Sequence, residues 1–363
     1  MHIAIIADSI DNQNAGIHVY TKNMIESLGQ CSNLEVTCFR LKEEPRLKNV
    51  KQVVVPTVFS IAGKDPLRLF FTLPWAIRKA KPDVGIEPTH FGPFNLPKQI
   101  KRMTVIHDLT PIKFPQWHVY FSQVLQRIFL PSILKKDSLV ITNSNNTLKD
   151  VNEVYPFTIG KTAMVYPGID KFYNISETEI SYTKEPFFLY TGTIEPRKNL
   201  TLLLDAYQLF RENSTNTYKL IICGGKGWKN EDFFSKLENH PFKSDIEVKG
   251  YVTKDALKDF YSKTTAFIYP SLYEGFGFPI AEAMSCGAPC IVARNSSLTE
   301  VGGSAAEFFD TNSAAELSVK METIAHSPEL QREMIERGVK QAKRFSWDIF
   351  ANLLEAELLK LKK

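Results

Sequence analysis

Metal-binding patterns are missing from this chain of 363 residues. It has no Asp-x-Asp triplet and no pair of histidines at the spacing of a helical or loop zinc site, so no metal is expected. Cysteine is scarce: Cys31, Cys38, Cys223, Cys286 and Cys290 are odd in number and form no Cys-x-x-Cys pair. That excludes a disulfide framework and a structural zinc, and leaves buried, reduced thiols. A Gly-x-Ser-x-Gly elbow is absent, which argues against serine nucleophile chemistry. The stretch GGKGW, Gly224 to Trp228, has glycines and a lysine but neither the length nor the Lys-Ser/Thr ending of a nucleotide-triphosphate loop. The turn after the first strand holds a single glycine, Gly16, where a dinucleotide fingerprint needs three. Apolar runs all fall short of a membrane span, and the apolar start MHIAIIADSI lacks the basic flank of a secretory signal. A cytoplasmic location is the expectation.

What is present belongs to a globular protein: 44% hydrophobic and 23% charged residues, in a length that suits two domains. The net charge of +4 is uneven, with 20 Lys+Arg against 14 Asp+Glu in residues 1–170. A bias this modest is ordinary surface variation, or else fits an anionic membrane surface; no nucleic-acid partner is expected. Strand-like runs at 2–8, 35–41, 53–55, 84–87, 103–106 and 139–142 alternate with helical stretches. After a turn-rich stretch, YPGIDKFYNISETEISYTKEP, a second series follows at 187–193, 218–224, 246–252, 265–271, 289–294 and 305–310. Alternation of this kind implies parallel sheets. The division expected is 1–170, 171–345, and a last helix over 346–363 that straps back. Within the first half, Trp117–Lys136 places Phe121, Val124, Leu125, Ile128 and Phe129 at helical spacing beside Arg127, Lys135 and Lys136. Such a stripe ordinarily faces a core, and with basic neighbours it also suits docking to a membrane.

The most informative stretch is YPSLYEGFGFPIAEAMSCGAP, Tyr269 to Pro289. A buried strand runs into a loop, and Pro279 reads as the first residue of a helix, where its missing N–H costs nothing. Free N–H groups at a helix start favour an anion, and Gly275 and Gly277 let the backbone approach it closely. Glu274 and Glu282 would be repelled by an anion, so they suit hydroxyls attached to one, as on a sugar. The first strand of the second half ends in GTIEPRKN, Gly192 to Asn199, which puts Arg197 and Lys198 at the ligand edge of an open sheet before a helix capped by Asn199. Two cations facing a helix start suit a diphosphate. In the first half, VIHDLTP and EPTHFGP put His107, Asp108 and His90 at strand ends, and His18 follows the Gly16 loop.

Taken together, GTIEPRKN, YPSLYEGFGFPIAEAMSCGAPCIVA and SSLTEVGG resemble the retaining glycosyltransferases of family 4, in which two glutamates eight positions apart flank a Gly-Phe-Gly-x-Pro turn. GIHVYTKN, VIHDLTP and RFSW resemble their counterparts too. The resemblance implies the B-type glycosyltransferase fold: two Rossmann-like α/β/α domains facing across a cleft, with a C-terminal helix crossing back to the first. It implies that Glu282 binds ribose hydroxyls and Glu274 the transferred hexose. Arg197 and Lys198 would hold the diphosphate, beside Thr193, the backbone of Gly275, Phe276, Gly277 and Phe278, and the helix start at Pro279. His107 would face the sugar, and Gly16 would lie near the phosphate and acceptor. Many members have paired glycines where this chain has Ala15-Gly16.

The activity so implied is metal-free transfer of a hexosyl unit, with retention, from a nucleotide-diphosphate sugar to a hydroxyl of a glycan or lipid-linked acceptor. The motifs leave GDP-mannose and UDP-sugars open as donors, with GTIEPRKN leaning toward mannose. An epimerase or phosphorylase of the same architecture, and a non-catalytic nucleotide-sugar-binding protein, are the competing readings.

Overall fold

The computed structural model describes residues 1–11, 15–43, 47–57, 67–118 and 120–362, the side chains at 15, 121, 122 and 177 excepted. The chain divides into two compact units, one of residues 1–168 with 346–363 and the other of residues 169–345. The first holds an all-parallel sheet in the order β3-β2-β1-β4-β5-β6-β7, made of β1 (His2–Ile6), β2 (Glu35–Arg40), β3 (Lys51–Val54), β4 (Val84–Glu87), β5 (Lys101–Ile106), β6 (Leu139–Thr142) and β7 (Thr162–Met164). In the second, β8 (Glu185–Thr191), β9 (Lys219–Cys223), β10 (Ile246–Gly250), β11 (Thr264–Tyr269), β12 (Cys290–Ala293) and β13 (Ala306–Phe309) are ordered β10-β9-β8-β11-β12-β13, again all parallel.

Buried apolar runs drive both sheets: β1, β4, β6, β11 and β12 are almost wholly buried, as strands covered on both faces must be. In each unit the order reverses beside the first strand, between β1 and β4 and between β8 and β11. Parallel strands bring all their C-terminal loops to one edge, and ligands of open α/β sheets bind where the order reverses.

Several details depart from expectation. The edge strand β7 went unread because its three residues are only half-buried and carry no apolar run. Gly16, expected in a loop, is the second residue of the helix Ala15–Leu28; it is exposed, and a Cβ there would meet nothing within 4 Å. The helix expected from Trp117 runs over Tyr120–Lys136 and turns Leu130, Ile133 and Leu134 into the core. Of its named stripe, Val124, Leu125 and Phe129 are half-buried, Ile128 is 62% exposed, and the side chain of Phe121 lies outside the described residues.

The C-terminal helix Trp347–Lys360 packs on the helix Ala15–Leu28 through Trp347, Phe350, Ala351, Leu354 and Leu358, all buried. Tyr20 meets Trp347 and Phe350 edge-on, at ring separations of 5.5 and 5.8 Å. Close approach requires a glycine here, because a Cβ on Gly168 would stand 2.2 Å from the backbone nitrogen of Trp347. Gly168→Ala is therefore expected to loosen the C-terminal helix, raising amide hydrogen exchange across Trp347–Lys360 while the amides of β8, β11 and β12 keep their protection.

Candidate functional site: a buried carboxylate between two cations

In the second unit the loops after β8 and β11 are built as one piece. Beyond β8, Gly192 turns the chain at φ +142°, and Pro196–Lys198 forms a short 3-10 turn that ends at Asn199 in the left-handed region, from which the helix Leu200–Asn213 starts. Asn199 stands at the cap position, but its amide donates to the carbonyl of Thr311 and caps nothing, contrary to the expected role. Beyond β11 the chain reaches Gly277, whose φ of +109° favours glycine, and enters the helix Phe278–Ser285. Pro279 is its second residue, one place later than expected. The Leu272 amide donates to the carbonyl of Arg197 at 2.8 Å and ties the two loops together.

Charge converges there. Glu274 is 7% exposed and lies between both cations: Arg197 Nη1 is 2.6 Å from Oε2, and Lys198 Nζ is 2.5 Å from Oε1. Arg197 also donates to Glu195 at 2.7 Å and to the Tyr273 carbonyl at 2.9 Å. Lys198, itself buried, bonds the Tyr269 hydroxyl at 2.9 Å. Burial alone would push the Glu274 carboxyl up, but Arg197 and Lys198 outweigh it and hold the group down at about 2. Burial, with Arg197 close by, pulls the Lys198 ammonium below its ordinary range against the opposing pull of Glu274. The cluster is thus an anion site whose own carboxylate occupies it.

A third loop, after β12, fixes the backbone of Glu274. The Glu274 amide donates to Ser296 Oγ at 3.0 Å, and Ser297 Oγ lies 2.9 Å from the Glu274 carbonyl and 2.8 Å from that of Phe276. Asn295 reaches the Ser271 carbonyl at 2.8 Å. Nearby, the GGKGW turn pairs with the loop after β8 through Ile194 N to Gly225 O at 2.9 Å and Gly227 N to Ile194 O at 3.0 Å.

Glu282 stands apart from the cations, half-buried in the helix Phe278–Ser285. Burial and the charge of Asp170 raise its carboxyl to about 7, opposed by Lys254 and by the Tyr261 hydroxyl 3.5 Å away. Around neutral pH it is therefore part acid, part carboxylate.

In the first unit, His107 follows β5 and His90 follows β4. The His107 amide donates to His90 Nε2 at 2.7 Å, which makes that nitrogen an acceptor and the His90 ring neutral; burial and nearby His107 lower His90 to about 4. His107 Nε2 lies 2.8 Å from the carbonyl of Pro88, so it carries the proton and leaves Nδ1 as an acceptor. The edge-on contact with Tyr20, 4.6 Å between ring centroids, completes the setting of the His107 ring.

Two family models cover this chain in succession: Glycosyltransferase Family 4 over residues 15–171 and Glycosyl transferases group 1 over residues 172–341. The chain belongs to these glycosyltransferases. The O-antigen chain mannosyltransferase B of Escherichia coli is 29% identical over 286 residues, 76% of this chain and 73% of that protein. The O-antigen chain mannosyltransferase RfbU of Salmonella typhimurium is 29% identical over 194 residues, 52% of this chain and 50% of that one. Among solved structures, Anabaena HepE, in complex with UDP and glucose, superposes with a TM-score of 0.73 at 16% identity, over 99% of this chain and all of that one. Its likeness establishes the B-type glycosyltransferase fold of the two parallel-sheet domains.

In this glycosyltransferase the structure gathers Arg197, Lys198 and Glu274, with the Gly275–Pro279 segment beside them, and sets Thr193 in the loop after β8. The Phe276 side chain is core, packed on Phe278 and Phe345 at 5.0 and 5.3 Å. Glu282 sits on the next helix, and His107 and Gly16 belong to the other unit. Sequence reasoning passed over Glu195, Tyr269 and the Asn295–Ser297 clamp as functional parts. The signal for the first two was their place inside the motifs, and for the clamp its overlap with SSLTEVGG just after β12.

Removing Glu274 takes from the buried Lys198 the carboxylate that pairs with its ammonium group. Glu274→Ala is expected to lose about 3 kcal/mol in urea unfolding, the cost of an uncompensated buried charge. Inorganic diphosphate is expected to raise the melting temperature of the variant more than that of the parent chain.

Proposed function

We propose that this glycosyltransferase moves a mannosyl unit, with retention of anomeric configuration and without a metal, from a nucleotide-diphosphate donor to a hydroxyl of a glycan or lipid-linked acceptor. One observation carries the reading: Arg197 and Lys198 converge on a buried anion at the point where the strand order reverses. These cations supply the positive charge a departing diphosphate needs, preorganised in a dry setting where charge acts most strongly. The relatives that are mannosyltransferases support the choice of sugar. A lipid-linked acceptor would bring the enzyme to an anionic membrane face. Among the described residues, no helix is long and apolar enough to cross a membrane.

In the proposed reaction the diphosphate displaces the Glu274 carboxylate from both cations, and Glu274 turns to the hydroxyls of the hexose. The bond from the anomeric carbon to the phosphate oxygen breaks as the acceptor oxygen bonds that carbon on the same face. The acceptor proton passes to the departing phosphate oxygen, so Glu274 positions the sugar and forms no covalent bond. Glu282 accepts from the ribose hydroxyls, and His107 offers Nδ1 as a hydrogen-bond acceptor for a sugar hydroxyl.

Lys198→Ala is expected to lower turnover on the order of a hundredfold or more, measured as acceptor-dependent release of nucleotide. Near-normal transfer by both Lys198→Ala and Glu274→Ala would overturn the assignment. In a thermal-shift screen of GDP-, UDP- and ADP-sugars, GDP-mannose is expected to give the largest stabilisation.

A pH dependence follows from Glu282. As pH rises through about 7 its carboxyl loses the proton and becomes a pure acceptor, so affinity for GDP-mannose should rise across that range. Calorimetry of Glu282→Gln should show the rise abolished; a wild-type affinity that is flat from pH 6 to about pH 8 would remove Glu282 from the ribose site.

A further inference from the structure

We propose that the first domain docks on an anionic membrane surface through a stripe of exposed apolar side chains, Leu67, Phe71 and Trp75, with Lys51 and Lys79 beside them as headgroup contacts. This rests on the membrane reading above and names the surface; it does not depend on the donor. The three side chains are 45%, 64% and 64% exposed, although they are among the most apolar in the chain. They stand four residues apart where a π-helical turn, Arg68–Thr72, runs into the α-helix Leu73–Ala80. Four residues advance past a full turn in an α-helix and fall short of one in the wider π turn, so the two segments together keep the stripe aligned.

The opposite face holds the helix firmly. Leu73 and Ile77 join a core cluster with Ala4, Ile6 and Phe39. Arg68, 2% exposed, donates to the Val55 carbonyl at 2.7 Å and to Asp8 at 2.5 and 2.8 Å. With the helix pinned from behind, Phe71 and Trp75 face outward as a fixed surface. Between this helix and the edge strand β3 lies a groove of about 600 Å³ lined by Val53, Val54, Trp75, Ala76, Lys51 and Lys79. Lys79 Nζ stands 5.5 Å over the Trp75 ring.

Charge decides the occupant. Residues 47–82 contain seven Lys and Arg and a single acid, Asp65. Lys48, Lys51, Arg78, Lys79 and Lys81 are all exposed. Aromatic side chains flanked by cations suit the headgroup boundary of an anionic bilayer, where the rings enter the interface and the ammonium groups meet phosphates. A second copy of this edge would bring the same cations face to face. The helix Tyr120–Lys136, the surface expected from sequence, offers less: Tyr120 and Ile128 are 77% and 62% exposed, but of the described side chains between them Gln123, Val124 and Leu125 are half-buried, Gln126 is buried and Arg127 is basic.

The test is co-sedimentation of the full chain with phosphatidylglycerol-containing vesicles and with pure phosphatidylcholine vesicles. Binding is expected to the anionic vesicles alone and to weaken as salt rises from about 0.05 to 0.3 M. Phe71→Ser with Trp75→Ser should weaken it roughly tenfold or more, and Lys51→Glu with Lys79→Glu should do the same. Tyr120→Ser with Ile128→Ser should leave it unchanged; circular dichroism confirms that each variant is folded. If the Tyr120 and Ile128 variant loses binding while the Phe71 and Trp75 variant keeps it, the proposed surface is wrong and the membrane reading stands. No binding, or equal binding to neutral vesicles, overturns both.

Discussion

A carboxylate buried against two cations governs the second domain of this glycosyltransferase. Glu274 would be costly to ionise where it lies, and the contacts with Arg197 and Lys198 do most to keep it charged. Those contacts in turn demand that the loops after β8 and β11 be held in one register. The Leu272–Arg197 backbone bond and the Asn295–Ser297 clamp supply that hold. Each part of the site is thus needed to satisfy another, as buried charge requires. The same pairing marks the place as an anion site: a side-chain carboxylate stands where an anion is favoured.

The first domain solves a similar problem without opposed charges. His107 is set by hydrogen bonds to uncharged groups, its amide to His90 and its ring to the Pro88 carbonyl, and by the edge of Tyr20. Because Tyr20 also meets Trp347 and Phe350, the last helix of the chain supports the wall behind this histidine. The C-terminal helix thereby contributes to a strand-end site far from it in sequence.

Much of the fold was legible because burial on both faces of a parallel sheet leaves unbroken apolar runs, as in LVIT of β6 and TTAFIY of β11. Where burial is partial the signal fades. β7 has three half-buried residues and no run, so it passed unread. Gly16 misled for the opposite reason: a glycine after a strand resembles a turn, yet here it continues a helix. The stripe on Tyr120–Lys136 has a helical period, but periodicity does not say which face meets a core. The exposed stripe of Leu67, Phe71 and Trp75 gave no such signal, since its neighbours Leu69, Leu73 and Ile77 are equally apolar.

The sequence by itself determined the residue types and their order: two α/β halves, two cations after one strand, two glutamates around a glycine turn after another, and no metal-binding spacing. Those follow from local chemistry, since periodicity, glycine and proline placement and helix starts act over a few residues. Tertiary structure alone decided that Glu274 pairs with Arg197 and Lys198 while Glu282 stands near neutrality beside Asp170 and Lys254. Both are glutamates eight positions apart. What separates them is the charge that distant segments bring near each one, and no short stretch of chain carries that information.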